Sequence, residues 1–129
     1  MAAGSPSALP LTGERLERSQ TLRRTEHYRR CYASGRRKGG SSLLLYSFPN
    51  DFGGPRLGLT ASAKVGPSVV RHRLKRWARE IYRRHGDRAR FPALDLVVHF
   101  KPQAARSTFA DFRSELERLL GALVPRGSE

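Results

Sequence analysis

"RLGLTASAKVGPSVVRHRLKRWAREIYRRH", residues 56–85, contains the change of period that decides the fold. Leu57, Leu59 and Ala61 alternate, the two-residue period of a strand with one apolar face. Gly66-Pro67 then breaks the chain, and from Val70 onward the apolar residues recur at helical spacing. Pro67 is tolerable in a first turn, where its missing N–H has no helical partner to lose. On a wheel of about 100° per residue, Val70, Leu74, Trp77 and Ile81 fall within roughly 80° of one another. That narrow stripe has to face a sheet. Arg71, His72, Arg73, Lys75, Arg76, Arg79 and Arg83 fill the outward arc, with Glu80 the only acid on it.

A charged helix face is most often just solvated. Ordinary exposed helices, however, mix signs to gain i,i+4 pairs, whereas Arg71, Lys75 and Arg79 form a like-charge ladder at i, i+4, i+8. Such a ladder costs stability unless anions sit on it. Arginine also offers planar, bidentate donors that fit phosphate oxygens. The face reads as a phosphate-binding surface.

Charge over the whole chain agrees. The 129 residues carry a formal charge of +14, a field that favours polyanions. From Asp95 onward basic and acidic residues balance at five each, so the excess lies entirely in the first 94 residues. The length suits one domain. A single cysteine, Cys31, excludes an intramolecular disulfide and suits a reducing compartment. No apolar run reaches the roughly 18 residues of a membrane span, and residues 1–19 lack a hydrophobic signal core. A cytoplasmic nucleic-acid-binding protein is the leading expectation, and no membrane association is expected.

Working outward, Thr25 to Ser34 reads as a helix ending at Gly35, a C′ residue. "SSLLLYSF" (41–48) reads as a strand, separated from the 56–62 strand by the turn-forming "PNDFGGP". "DLVVHF" (95–100) is a third strand. Ser107 is expected to cap a last helix carrying Phe109, Phe112, Leu116, Leu119 and Leu123. The order α-β-β-α-β-α, with room for one extra short strand, gives an α+β fold whose helices cover one sheet face. Residues 1–20 are poor in large apolar side chains and expected to be a disordered tail. "LVPRGS" (123–128) matches a thrombin-cleavage linker, so residues 123–129 are expected to lie outside the domain of 21–122.

Tyr28 and Tyr32 stand four residues apart, on one helix face. The pairs Arg23-Arg24 and Arg29-Arg30 and the triplet Arg36-Arg37-Lys38 surround them, and Tyr46 lies on the next strand. Aromatics framed by cations stack unpaired bases while the backbone is tracked. The same spacing fits two core tyrosines with hydroxyls at the rim, and spacing alone leaves both readings open. Catalysis by the protein itself is not expected. The four histidines (His27, His72, His85, His99) have no metal-ligand spacing, the acids form no cluster, and Cys31 lacks a nucleophile's signature.

These residues, in this order, closely resemble the protein subunit of bacterial ribonuclease P. The resemblance spans about Leu22 to Leu120. It is carried by "RLGLTASAKVGPSVVRHRLKRWAREIY", which is similar to the family's strand, Ser/Lys/Gly loop and Arg-Asn-Arg helix. "LRRTEHYRRCYASGRR" and "DLVVHFKPQAA" support it. It implies a small two-layer α/β sandwich of the ribosomal protein S5 domain 2-like type, with a left-handed βαβ crossover. It also implies removal of the 5′ leader of precursor tRNA by a holoenzyme, an endoribonuclease. There the RNA subunit is the catalyst, using Mg²⁺, and the protein alone is inactive. The expected partners are the catalytic RNA, in a 1:1 complex with a protein monomer, and precursor tRNA.

Position by position, the resemblance assigns Arg71, His72, Arg73, Lys75, Arg76 and Arg79, with Ser62 and Lys64 of the preceding loop, to the RNA subunit. It assigns Tyr28, Tyr32, Tyr46, Arg24 and Lys101 to the leader. No catalytic or metal-binding residue is expected in the protein. Three positions depart from the pattern: His72 replaces an Asn, Ala63 a frequent Lys, and Pro67 a polar residue. The competing expectations are a ribosomal or general RNA-binding protein without an enzymatic partner, and a membrane-surface or DNA-binding basic helix. The Trp77 stripe opposes the last, because the sheet needs that face.

Overall fold

The structure, a computed structural model, describes residues 20–124. Of the tails expected at residues 1–20 and 123–129, residues 1–19 and 125–129 lie outside the described residues. Three helices and four strands follow one another as α1 (Thr25–Ser34), β1 (Arg36–Gly39), β2 (Leu43–Pro49), β3 (Arg56–Ala61), α2 (Ser68–Arg83), β4 (Leu94–Phe100) and α3 (Phe109–Gly121). The extra short strand is β1, the basic Arg36-Arg37-Lys38 segment, fully exposed along its length. It pairs antiparallel with β2 at the sheet edge, Arg37 opposite Tyr46.

The sheet order is β1-β2-β4-β3. β2 and β4 are antiparallel, Tyr46 opposite Val97; β3 and β4 are parallel, Gly58 opposite Val97 and Thr60 opposite His99. α2 is the crossover that makes the parallel pairing possible, since parallel neighbours cannot be joined by a tight turn. Gly66 supplies the break before it. Its φ of +149° suits glycine alone, and it turns the chain from a 3-10 turn at Ala63–Val65 into α2.

Alternation along the strands gives the sheet two different faces. Leu43, Leu45, Leu57, Leu96, Val98 and Phe100 point to one face. There they pack against Leu74, Ala78 and Ile81 of α2 and Phe112, Leu116, Leu119 and Leu120 of α3. This is the main core, and each fully buried Leu or Phe contributes about 1.5–3 kcal/mol of transfer free energy. Val97 points the other way, into a smaller cluster with Leu22 and Cys31, flanked by Tyr28, Tyr46 and Phe48. So α2 and α3 cover one face while α1 lies across the other, which corrects the expectation that the helices share one face of the sheet.

Four local expectations are corrected. The buried arc of α2 is wider than the four-residue stripe: Ala78 and Tyr82 are buried, whereas Val70 and Trp77 are only partly so. Thr108, not Ser107, caps α3, its hydroxyl accepting from the Asp111 N–H at 3.1 Å. Ser107 instead meets Ser42 at 3.2 Å. Leu123 and Val124 are not tail, since both pack on the main core and Val124 is buried. Phe109, placed on the apolar face by its spacing, is 38% exposed.

Candidate nucleic-acid interface

The cationic face of α2 divides into two parts. At its C-terminal end, Glu80 accepts from Arg83 and lies 2.7 Å from Nε of Arg84. The hydrogen bond from Arg83 is the largest cause holding the Glu80 carboxyl below its ordinary pKa. Two of the helix's cations are thereby partly neutralised. Between Arg71 and Arg79 no acid is paired in this way, and the ladder stands without counter-charge from the described protein.

His72, Arg76 and Arg79 of that segment are exposed, with Arg71, Arg73 and Lys75 half-buried along its flanks. Arg71 Nε donates to the Gly66 carbonyl at 3.0 Å, so the guanidinium leans on the loop before the helix. In that loop Ser62 and Lys64 are exposed, and the Ser62 hydroxyl accepts from the Lys64 N–H at 3.2 Å. Arg73 lies over the Trp77 ring, 5.3 Å from its centroid, which in turn packs edge-on against Phe109 and Phe112. Its Nε is the one buried side-chain polar atom without a partner among the described residues.

On the other sheet face α1 builds an aromatic cleft. Tyr32 is 40% exposed and meets Tyr46 edge-to-face, ring centroids 4.7 Å apart. Its phenol oxygen lies 2.6 Å from Thr60 Oγ1 and 3.3 Å from His99 Nδ1. Tyr28 sits deeper: its hydroxyl donates to the Leu22 carbonyl at 3.1 Å, and its ring lies on Gly58. A Cβ at residue 58 would come within 2.7 Å of that ring, so glycine is what lets Tyr28 reach the strand. Burial raises the pKa of both phenols, which keeps them neutral donors. Cys31 is fully buried below them, its thiol pushed up to about 11, chiefly by burial, and so unreactive.

The two surfaces meet round the edge of β3. A cavity of about 270 Å³ there is lined by Tyr28, Gly58, Lys75 and Arg79, with Thr21, Leu57 and Leu59. Of the other leader residues expected from the resemblance, Arg24 is exposed at the start of α1, 3.7 Å from Glu26. Lys101 is held by the Gly40 carbonyl at 2.8 Å. Thr60 and His99 were not singled out by sequence reasoning. Their meeting depends on the parallel β3–β4 register, which strand patterns alone do not reveal. Arg30, expected only as one of the cations framing the tyrosines, lies over Phe48 at 5.1 Å and 3.6 Å from the buried Asp95 carboxylate.

The family model for ribonuclease P matches residues 16–124, which takes in every described residue. The chain belongs to the ribonuclease P protein family. Among curated relatives, the ribonuclease P protein component of Syntrophus aciditrophicus is 33% identical over 105 residues, covering 81% of this chain and 87% of the relative. That of Acidothermus cellulolyticus is 35% identical over 106 residues, covering 80% and 87%. The solved ribonuclease P protein of Thermotoga maritima superposes with a TM-score of 0.70 at 26% identity, covering 81% of this chain and 98% of that one. That of Staphylococcus aureus, at 24% identity, shares the fold with a TM-score of 0.75 over 82% and 98%. In this member of the family the basic helix and the aromatic cleft are thus borne by one small α+β domain, on opposite faces of a single sheet.

Proposed function

We propose that this chain is the protein subunit of a ribonuclease P. On this reading it binds the catalytic RNA through α2 and the single-stranded 5′ leader of precursor tRNA in the cleft under α1. The observation that carries it is the cavity at the β3 edge, where the aromatic cleft and the cations Lys75 and Arg79 share one wall. A strand lying on Tyr32 and Tyr46 can pass that edge with its phosphates toward α2. Unpaired bases stack on aromatic rings for about 1–3 kcal/mol each, and the backbone is tracked by cations. Tyr28 of the cleft and the cations Lys75 and Arg79 line the same cavity, which supports both requirements.

In this role the protein contributes position rather than chemistry. Mg²⁺ supplies the activated water and the stabilisation of developing charge in phosphodiester hydrolysis. The donors in the described part of the chain do not fit that ion. No three His, Cys, Asp or Glu residues stand together there. Asp95 is engaged by Arg56 and Asn50, Glu80 by Arg83 and Arg84, and Glu115 by the backbone N–H groups of Ser42 and Leu43. The reading gives the ion to the RNA subunit and leaves binding and positioning to the protein. The reading takes the protein as a monomer in a 1:1 complex with the RNA, each chain offering one α2 surface.

Cleavage of precursor tRNA at low Mg²⁺ by a bacterial ribonuclease P RNA, with and without the protein, tests this. Release of a mature 5′ end that depends on both components is the expected result. Cleavage by protein alone would place a catalytic site in the chain. Tight RNA binding without any effect on cleavage would favour a general RNA-binding protein instead.

A further inference from the structure

His99 stands opposite Thr60 in the parallel register of β4 and β3, on the cleft face of the sheet. Three polar groups converge there. Tyr32 Oη lies 2.6 Å from Thr60 Oγ1, and Thr60 Oγ1 lies 2.9 Å from His99 Nδ1. The order of protons along such a chain follows acidity and basicity. The phenol is the most acidic O–H of the group and the imidazole nitrogen the most basic acceptor. The distances admit either direction in both bonds, and acidity favours Tyr32 donating to Thr60 with the Thr60 hydroxyl donating to Nδ1. A neutral imidazole that accepts at Nδ1 carries its proton on Nε2. Burial lowers the His99 pKa, which favours this neutral form.

Nε2 makes no hydrogen bond within the described protein. It is also not among the buried unpartnered atoms, a class that holds only Arg73 Nε. Its N–H therefore opens to solvent, beside the Tyr32 ring whose centroid is 6.0 Å away. A donor fixed in one direction at the foot of an aromatic platform is suited to the acceptor edge of an unpaired base. A phosphate is better served by the cations of α2.

We propose that His99 is a specificity-determining residue, its Nε2–H, oriented through Thr60 by Tyr32, donating to a ring-nitrogen or carbonyl acceptor on one base of the leader. This rests on the reading that the leader occupies the cleft. The hydrogen bond selects among leaders by whether an acceptor is offered at that place, while stacking on Tyr32 and Tyr46 remains indifferent to base identity.

The test uses the full chain reconstituted with a bacterial ribonuclease P RNA. Affinity is measured for mature tRNA, for precursor tRNA, and for precursors whose leader bases each lack one acceptor atom. Wild type is expected to prefer precursor over mature tRNA and to lose about three- to tenfold at one analogue position, the effect of a single neutral hydrogen bond. His99→Phe keeps a flat ring without the donor. It should lose the same three- to tenfold with the natural leader and become insensitive to that analogue, whereas His99→Gln, whose amide N–H reaches the place of Nε2, should recover most of it. Imidazole ¹⁵N spectra of the free protein should show the Nε2–H tautomer, and Thr60→Val, with the ring retained, should mix the tautomers and blunt the analogue effect. A folded His99→Phe protein that discriminates leaders like wild type overturns the proposal and leaves the cleft reading standing. If that variant does not fold, unaltered tautomer and unaltered discrimination in Thr60→Val overturn it equally. Equal affinity of wild type for precursor and mature tRNA overturns the cleft reading and this hydrogen bond with it.

Discussion

Arg56 holds both oxygens of Asp95 across the β3–β4 register, Nε to Oδ1 at 2.8 Å and Nη2 to Oδ2 at 3.0 Å. The carboxylate has no exposure at all. Asn50 Nδ2 donates to Oδ1 at 2.9 Å, and Arg30 of α1 stands 3.6 Å from Oδ2. One side chain thus ties two parallel strands, the turn between β2 and β3, and the helix that roofs the cleft. Such a tie is well placed to set the distance between α1 and the sheet.

Removing one partner of a buried pair leaves the other uncompensated, at about 3–5 kcal/mol. Arg56 keeps some solvent exposure, its side chain being 18% exposed, so the lower end is expected for Asp95→Ala. Urea unfolding should show a shifted midpoint with an unchanged slope. A loss below about 1 kcal/mol, the size of an exposed ion pair, would mean that the tie does not hold the helix.

The division of the α2 face gives a second expectation. Replacing Arg71, Arg73 and Arg76 together should flatten the salt dependence of binding to the catalytic RNA, by roughly 0.7–0.9 in log–log slope for each phosphate no longer neutralised. Arg83 and Arg84 share Glu80, so replacing those two should change the slope less. Equal effects from the two sets would show that Glu80 does not divide the face.

The order of the elements and the basic helix were legible because both follow from local periods, two for the strands and about 3.6 for α2. What stayed hidden depends on meetings between distant segments. The opposite placement of α1 turns on Val97 pointing away from Leu96 and Val98, which an unbroken apolar run conceals. Tyr82 and Ala78 are buried because Phe91 and α3 close over that side of α2. Thr108 caps α3 in place of its neighbour because Ser107 is already engaged by Ser42. The tyrosines, ambiguous by spacing, divide: Tyr28 is largely packing and Tyr32 largely surface.

That division predicts different losses. Tyr28→Ala should lower stability by about 2–3 kcal/mol, less than a fully buried aromatic because the ring is only half-buried. Tyr32→Ala should leave stability nearly unchanged and weaken precursor binding by about 1–3 kcal/mol, the effect of removing one stacking partner. Thermal unfolding and leader-dependent affinity, measured on both variants, separate the two. Exchanged outcomes would reverse the roles of the two residues.

Gly58 offers a milder probe of the same wall. A methyl there meets the Tyr28 ring at 2.7 Å, and the ring, held by the Leu22 carbonyl, has to yield. Gly58→Ala is expected to cost about 1–3 kcal/mol, as overpacking does. Pairing it with Tyr28→Ala removes the clash, so the double variant should be no less stable than Tyr28→Ala alone. Additive losses would show that the strand does not need the glycine to let the ring in.

His99 links stability to pH. Its folded-state pKa lies below the ordinary 6.5 because burial disfavours the charged ring. Between that lowered value and 6.5 the unfolded chain binds a proton that the folded chain does not, so acidification favours unfolding. The contribution is whole above about pH 6.5 and is lost progressively as pH falls from there to the folded pKa. Denaturant midpoints taken from about pH 7.5 downward through the ordinary 6.5 should therefore decline for wild type more steeply than for His99→Gln, which cannot titrate. Parallel declines would assign the acid sensitivity to other groups and would show that the ring can take up a proton without loss in its place beside Thr60.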